Sequence, residues 1–229
     1  MNLNPARKRK YVEATAEIIA REGTGGINIR RVAEAAGCTS AVLYKHFENK
    51  DHLVILGSIR FLEPYIIQFM EISKRKDLNS IQMDLLFWKA YIYEAFRNKA
   101  IYEMLFFGKY KNMLEEYIFE YYQMFPDFLG QVDGYMVSVI FNSNLVERDL
   151  IRLRRAANEG LITMEDATTL SRLCTPVFHG MLIQYPDTGL SENDLVYAAE
   201  DCYQLIHSLF VSFVKPGVEL EPVDEADKG

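Results

Sequence analysis

A chain of 229 residues, 49% hydrophobic and 25% charged, is long enough to bury a sizeable core and has the balance of a folded, globular protein. No basic segment followed by an apolar core opens it and no stretch approaches eighteen uninterrupted apolar residues, so neither a leader nor a membrane span is expected, and the cytoplasm is the expected compartment. Three cysteines (Cys38, Cys174 and Cys202) are too few and odd in number for a disulfide framework, and a net charge of -7 argues against nucleic acid wrapping the whole surface.

That charge is unevenly divided. Residues 1–60 hold ten Lys/Arg against six Asp/Glu, a balance of +4, which leaves -11 for the rest. Positive charge is therefore concentrated in the first quarter of the chain, where phosphates would be met.

The first element is a helix from about Pro5 to Arg21, opening on the basic tract Arg7-Lys8-Arg9-Lys10 and turning Tyr11, Ala14, Ile18 and Ile19 inward. The loop Gly23-Thr24-Gly25-Gly26 is not a phosphate loop, because no Lys-Ser or Lys-Thr follows at the required spacing and the preceding segment is helical. Ile29, Val32, Ala33 and Ala36 then fall at i, i+3, i+4 and i+7 on one face of a second helix, with Asn28 as its N-cap. Gly37 stops that helix by supplying left-handed backbone. Thr39 or Ser40 caps a third, in which Leu43 and Phe47 stand one turn apart and point inward. Ser40, Ala41, Tyr44 and Lys45 are left on the outer side. A longer helix, from Lys50 to about Ser73, begins with Asp51, His52 and Leu53. Its first turn offers backbone N–H groups and Lys50 to a phosphate, and Pro64 bends it or ends it early. Two short helices about a tight glycine turn have the layout of a helix-turn-helix that reads DNA.

The order of these residues resembles the DNA-binding domain of the TetR (tetracycline repressor) family. The matching positions are Val32-Ala33, Ala36-Gly37-Cys38-Thr39, Leu43-Tyr44-Lys45-His46-Phe47 and Lys50-Asp51-His52-Leu53, within residues 7–60. Asn28, Cys38 and Ala41 stand where Thr, Val and Gly are common, and none of the three removes a needed cap or core contact. The resemblance implies a transcriptional regulator, a repressor released by a small molecule, acting as a homodimer on a palindromic double-stranded operator. Its two reading heads would lie about 34–36 Å apart. Arg30 and, on the third helix, Ser40, Ala41, Val42 and Lys45 would meet bases, while Thr39, Tyr44, His46 and Lys50 would hold phosphates. Val42 as a half-core residue, His46 as a solvated surface residue and Thr39 as a plain cap remain open alternatives.

Beyond residue 73 the pattern stays helical, with no strand alternation and no internal repeat, so an all-α fold is expected. Helices are expected at about 80–97, 100–107, 109–125, 131–157, 163–185 and 191–214. Turns are expected at Gly108, Pro126-Asp127, Gly160 and Pro186-Asp187-Thr188-Gly189. Three parts follow: residues 1–50 as the DNA-binding domain, 51–214 as a helical ligand-binding and dimerisation body, and 215–229 as an acidic, disordered tail.

Residues 61–135 contain 19 of the 29 aromatic residues, enough to line a cavity or to fill a helical core. Trp88, Tyr91, Tyr117 and Phe141 are the candidate ligand-binding rings. Asn144 and His179, on otherwise apolar helix faces, are either ligand-orienting groups or satisfied core polar residues. An aromatic or hydrophobic effector is expected, and Asp84, Glu94 and Glu147 near the same segments favour a cationic or neutral one. No metal or cofactor is expected. Cys174 and His179, like Cys202 and His207, are five residues apart and so do not stack on one helix face. No nucleophile, zincin or dinucleotide motif occurs either, so an enzyme is not expected.

The last two long helices carry broad apolar stripes, Leu170, Leu173, Cys174, Val177, Phe178 and Met181 on one, and Leu195, Ala198, Ala199, Cys202, Leu205, Ile206, Leu209 and Phe213 on the other. These stripes close either a four-helix dimer interface, the usual arrangement in the proteins this sequence resembles, or an internal seam. One rival to small-molecule control is a body that docks onto a protein partner.

Overall fold

The computed structural model describes residues 5–129, 132–186 and 190–221. Among them the chain forms no strand, and its helices are α1 (Pro5–Glu22), α2 (Ile29–Ala35), α3 (Ser40–Leu43), α4 (Lys50–Ile59), α5 (Glu63–Ser73), α6 (Ser80–Arg97), α7 (Lys99–Tyr102), α8 (Leu114–Met124), α9 (Pro126–Leu129), α10 (Gly134–Ile140), α11 (Leu145–Asn158), α12 (Met164–Gln184) and α13 (Glu192–Phe213). Two compact units result: Met1–Glu63 with Ala100–Asp133, and Pro64–Lys99 with Gly134–Gly229. This division differs from the boundary expected at residue 50, because α4 and the returning segment 100–133 both pack with the N-terminal helices.

The first unit is built around α1, whose Tyr11, Val12, Thr15, Ile18 and Ile19 are all buried. Helix α4 approaches α1 closely because residue 57 is glycine: a Cβ there would lie 2.7 Å from Thr15 Cγ2. Within the helical run 50–73 the first helix ends at Ile59. The chain passes through a 3-10 turn at Arg60–Leu62 before α5 starts, so Pro64 falls in a first turn, where its missing N–H is tolerated. The run 50–73 is long and apolar enough to cross a membrane, but 67% of its apolar window is buried in the fold, as in a core helix.

In the second unit α6, α11, α12 and α13 pack side by side as a bundle, with Ile81, Trp88, Ile92, Leu153, Leu170, Phe178, Ala198, Ile206 and Phe210 in its core. The single helix expected over 131–157 is broken at 141–144. Asn142 accepts the Asn144 N–H at 2.9 Å and Asn144 then caps α11, so two side chains take over backbone groups that a continuous helix would pair. The expected disordered tail is also corrected up to residue 221. Asn79 and Gln82, the capping-box residues of α6, donate to the carbonyls of Glu219 (2.9 Å) and Glu221 (2.7 Å), and Lys215 N–H donates to Leu161 O. The rest of that tail, 222–229, and the turn at 187–189 lie outside the described residues.

Half of the residues in the apolar stripes of α12 and α13 form an internal seam. Leu170, Cys174, Phe178, Ala198, Ala199, Cys202 and Ile206 are buried within one chain, while Leu173, Ile183, Tyr197, Leu205 and Val211 stay exposed.

The core of the second unit also contains ions. Arg152 donates through Nε to Asp84 Oδ1 at 2.9 Å and through its other arm to Asp149, and all three side chains are nearly fully buried. Burial pushes both carboxyls up, Asp84 to about 6 and Asp149 to about 7, against the opposing pull of Arg152. A carboxyl whose folded pKa is raised holds its proton more tightly folded than unfolded, so the stability it supports is lost as pH rises. The unfolding free energy should therefore fall between about pH 4 and pH 7, measured by urea denaturation across that range, and Asp149→Asn should flatten the slope. Gly37 sits at φ +68° with nothing near its Cα to fill, so Gly37→Ala should cost about 1–2 kcal/mol from backbone strain alone, read from the same denaturation curves.

Candidate functional site

Local chemistry shapes the outer surface of the α2–α4 segment. Asn28 Oδ1 accepts the Arg30 N–H at 2.8 Å and starts α2. Gly37 turns the chain, with the Cys38 N–H donating back to Ala33 O at 2.8 Å. Thr39 stands at the N-cap of α3 but makes no side-chain capping bond. The third helix is also shorter than expected: the N–H groups of Lys45 and His46 bond three residues back, to Val42 O and Leu43 O, so the chain leaves α-helical geometry after Leu43. Leu43 and Phe47 face inward and are buried, whereas Tyr44 is 58% exposed.

The nine candidate DNA-binding residues are spread over the starts of α2 and α4, the turn between α2 and α3, and α3 with the turns that follow it. Arg30, Thr39, Ala41, Tyr44, Lys45 and Lys50 are exposed, and Ser40, Val42 and His46 are half-buried. The Arg30 guanidinium pairs with Glu34 at 2.9 Å in the open, an exchangeable contact of small worth. His46 packs edge-on against Tyr11 at 5.3 Å. Burial, aided by Lys8 and Arg7, lowers its pKa.

Two members of the basic tract turn into the first unit. Lys8 pairs with Glu120 and lies over the Phe47 ring at 5.2 Å, and Arg9 pairs with Glu13 at 3.0 Å and lies over Phe125 at 4.7 Å, leaving Arg7 and Lys10 exposed. Glu120 also takes His52 Nε2 at 2.9 Å, while His52 Nδ1 accepts the Glu48 N–H and the ring stacks on Tyr117 at 5.0 Å. Burial opposes ionisation of Glu120, but the bonds from His52 and Lys8 outweigh it and hold the carboxyl below its usual range. Asp51 is likewise lowered, by the Tyr110 hydroxyl at 2.6 Å and Lys109 at 2.9 Å. Sequence reasoning missed this clasp. Its one visible signal was a histidine at an inward position of α4.

The second unit has a cavity lined by Tyr65, Phe87, Trp88, Tyr91, Leu145, Arg148, Asp149 and Arg152, with only about 10 Å³ of free space, roughly one water. Of the candidate ligand-binding rings, Trp88 and Tyr91 line this cavity, while Tyr117 belongs to the first unit, against His52 and Met113. Asn144 is exposed as the N-cap of α11 rather than set on an apolar face. Phe141 and His179 are half-buried and do not line the cavity. Arg148, Asp149 and Arg152 were missed, although residues 145, 148, 149, 152, 153 and 156 keep the spacing of one inward helix face. A wider groove of about 300 Å³ lies along α5 and α6, between Ile72, Leu86 and Ala90, with Lys89, Glu94 and Arg97 at its polar edge.

The sequence profile of the bacterial regulatory proteins of the tetR family matches residues 12–55. No curated protein matches the chain significantly in sequence. Solved structures do match in fold. A putative TetR-family transcriptional regulator from Mesorhizobium loti is 13% identical over 93% of this chain and 100% of its own, with a TM-score of 0.58. SmeT, the repressor of the Stenotrophomonas maltophilia multidrug efflux pump SmeDEF, is 16% identical over 95% and 94%, with a TM-score of 0.52. The ketosteroid transcriptional regulator KstR2 of Mycobacterium tuberculosis is 17% identical over 93% and 97%, with a TM-score of 0.51. Residues 12–55 thus carry the tetR-family profile, and the described residues share the all-helical fold of solved TetR-family regulators.

Proposed function

We propose that the protein is a homodimeric repressor that leaves a palindromic operator when a small molecule enters its second unit. The observation that carries the DNA half is the exposed Tyr44 and Lys45 on a segment anchored underneath by Leu43 and Phe47, beside a helix start that presents Lys50. Arg30, Ser40, Ala41, Val42 and Lys45 meet base edges, while Thr39, Tyr44 and Lys50 hold phosphates, with His46 a neutral donor beside them.

Dimerisation uses the apolar residues that the seam leaves outside, Leu173 and Ile183 on α12 with Tyr197, Leu205 and Val211 on α13. A second copy presenting the same outer side of α12 and α13 would close a four-helix interface. Effector entry acts through the helical run 50–73, which begins at the reading head and ends in the second unit. A coupling of about 1–3 kcal/mol between the two sites would change operator affinity roughly 5–150-fold. The nearly filled cavity gives some support to the rival reading, a body that docks a protein partner, and retention of operator affinity with every small molecule tried would favour it.

Selection from a random pool of duplexes should return a palindrome with half-sites about one helical turn apart. Lys50→Ala should weaken binding to all sequences alike and lower the salt dependence, whereas Lys45→Ala should lose roughly 1–3 kcal/mol of discrimination at one base pair per half-site, both read by fluorescence anisotropy. No sequence preference at moderate salt would end the reading. Leu205→Glu should sediment as a 26.5 kDa monomer and the native chain at twice that mass.

A further inference from the structure

The buried cavity of the second unit is an aromatic cage already holding a cation. The guanidinium of Arg148 lies 5.5 Å from the ring centre of Tyr65 and 5.9 Å from that of Tyr91, and Trp88 stands edge-on to Tyr91 at 5.9 Å. Arg148 also donates to the Tyr65 hydroxyl, at a long 3.4 Å. Beside it the Asp149 carboxylate is only 2% exposed; Arg152 engages one oxygen, and the other, Oδ2, is buried with no hydrogen-bond partner. Asp84 Oδ2 is in the same condition. A buried carboxylate oxygen left unpaired is costly, and here it borders a cavity with space for about one water.

We propose that this cage is a binding site for a small planar organic cation, such as an amidinium or guanidinium, which enters by displacing Arg148 from beside the Tyr65 and Tyr91 rings and pairing with Asp149. The inference rests on the reading of the second unit as an effector-binding body and names the class of effector.

Charge balance selects the cation. With both carboxyls ionised, above about pH 7, Asp84 and Asp149 are offset by Arg148 and Arg152; withdrawing Arg148 then leaves one negative charge in a dry site, which a monocation cancels and an anion would double. Ring faces add attraction for a cation that they do not offer a neutral molecule of the same shape. The long stem of an arginine lets its head leave such a cage while its Cα remains in the helix. The groove along α5 and α6 is wider, but its cations are already engaged, Lys89 over the Tyr203 ring and Arg97 with Glu192 at 2.7 Å.

The test uses the full chain and its single tryptophan, Trp88, which lines the cage and reports directly on its contents. Benzamidinium, its neutral isostere benzamide and the anion benzoate are titrated against Trp88 emission for the native protein and for Arg148→Met. The expected result is saturable binding of benzamidinium alone, at least tenfold tighter in Arg148→Met, and at least tenfold weaker in Asp149→Asn. Benzamide or benzoate binding as well as the cation, or Arg148→Met binding no tighter than the native chain, would overturn the proposal. Should Arg148→Met fail to fold, as judged by circular dichroism, the three probes on the native chain decide: binding of the cation alone supports the cage, and any other pattern overturns it. Operator binding is measured without these probes, so failure of the cage leaves the DNA-binding reading intact and failure of DNA binding leaves the cage result standing.

Discussion

Phe47 is the contact on which the reading head depends. A helix of four residues has no stability of its own, because one turn of hydrogen bonds does not repay the cost of nucleation, so α3 points where its anchors point. Leu43 and Phe47 are those anchors. The Phe47 ring meets Tyr11 of α1 at 6.3 Å and His52 of α4 at 5.7 Å, with the Lys8 ammonium 5.2 Å from its centre. Two helices, α1 and α4, thus fix one side chain, and the outward direction of Tyr44 and Lys45 follows from it.

The same contact ties the head to the segment that returns to it. His52 and Lys8, both against Phe47, are also the two partners of Glu120 on α8. Asp51, one residue from Lys50, is held by Tyr110 and Lys109. The first turn of α4 is therefore held by charged and aromatic groups of the segment that returns to it.

The second unit places its charges differently. Helix α11 turns Arg148, Asp149 and Arg152 inward among Leu145, Leu153 and Ala156, where apolar residues would pack at less cost. Such an arrangement is weak evidence for stability and better evidence for a role. The unpaired carboxylate oxygens and the arginine lying beside two tyrosine rings are features that plain apolar packing would not need.

Much of the local structure could be read from the residues alone. Asn28 caps α2, Gly37 takes positive φ, and the helix at 80–97 has the expected limits, because each of these signals acts within a turn or two of the chain. The break at 141–144 was hidden because its cause is two asparagine side chains competing for backbone groups, which periodicity does not register. Tertiary structure alone decided which faces meet: that α8 returns to the N-terminal helices, that half of the α12 and α13 stripe residues close on their own chain, and that three ions of α11 lie in a core. Composition and spacing determine the backbone path and the apolar side of each helix. Which distant side chain shares that side depends on packing and charge pairing between elements far apart in sequence, and only the folded chain brings those together.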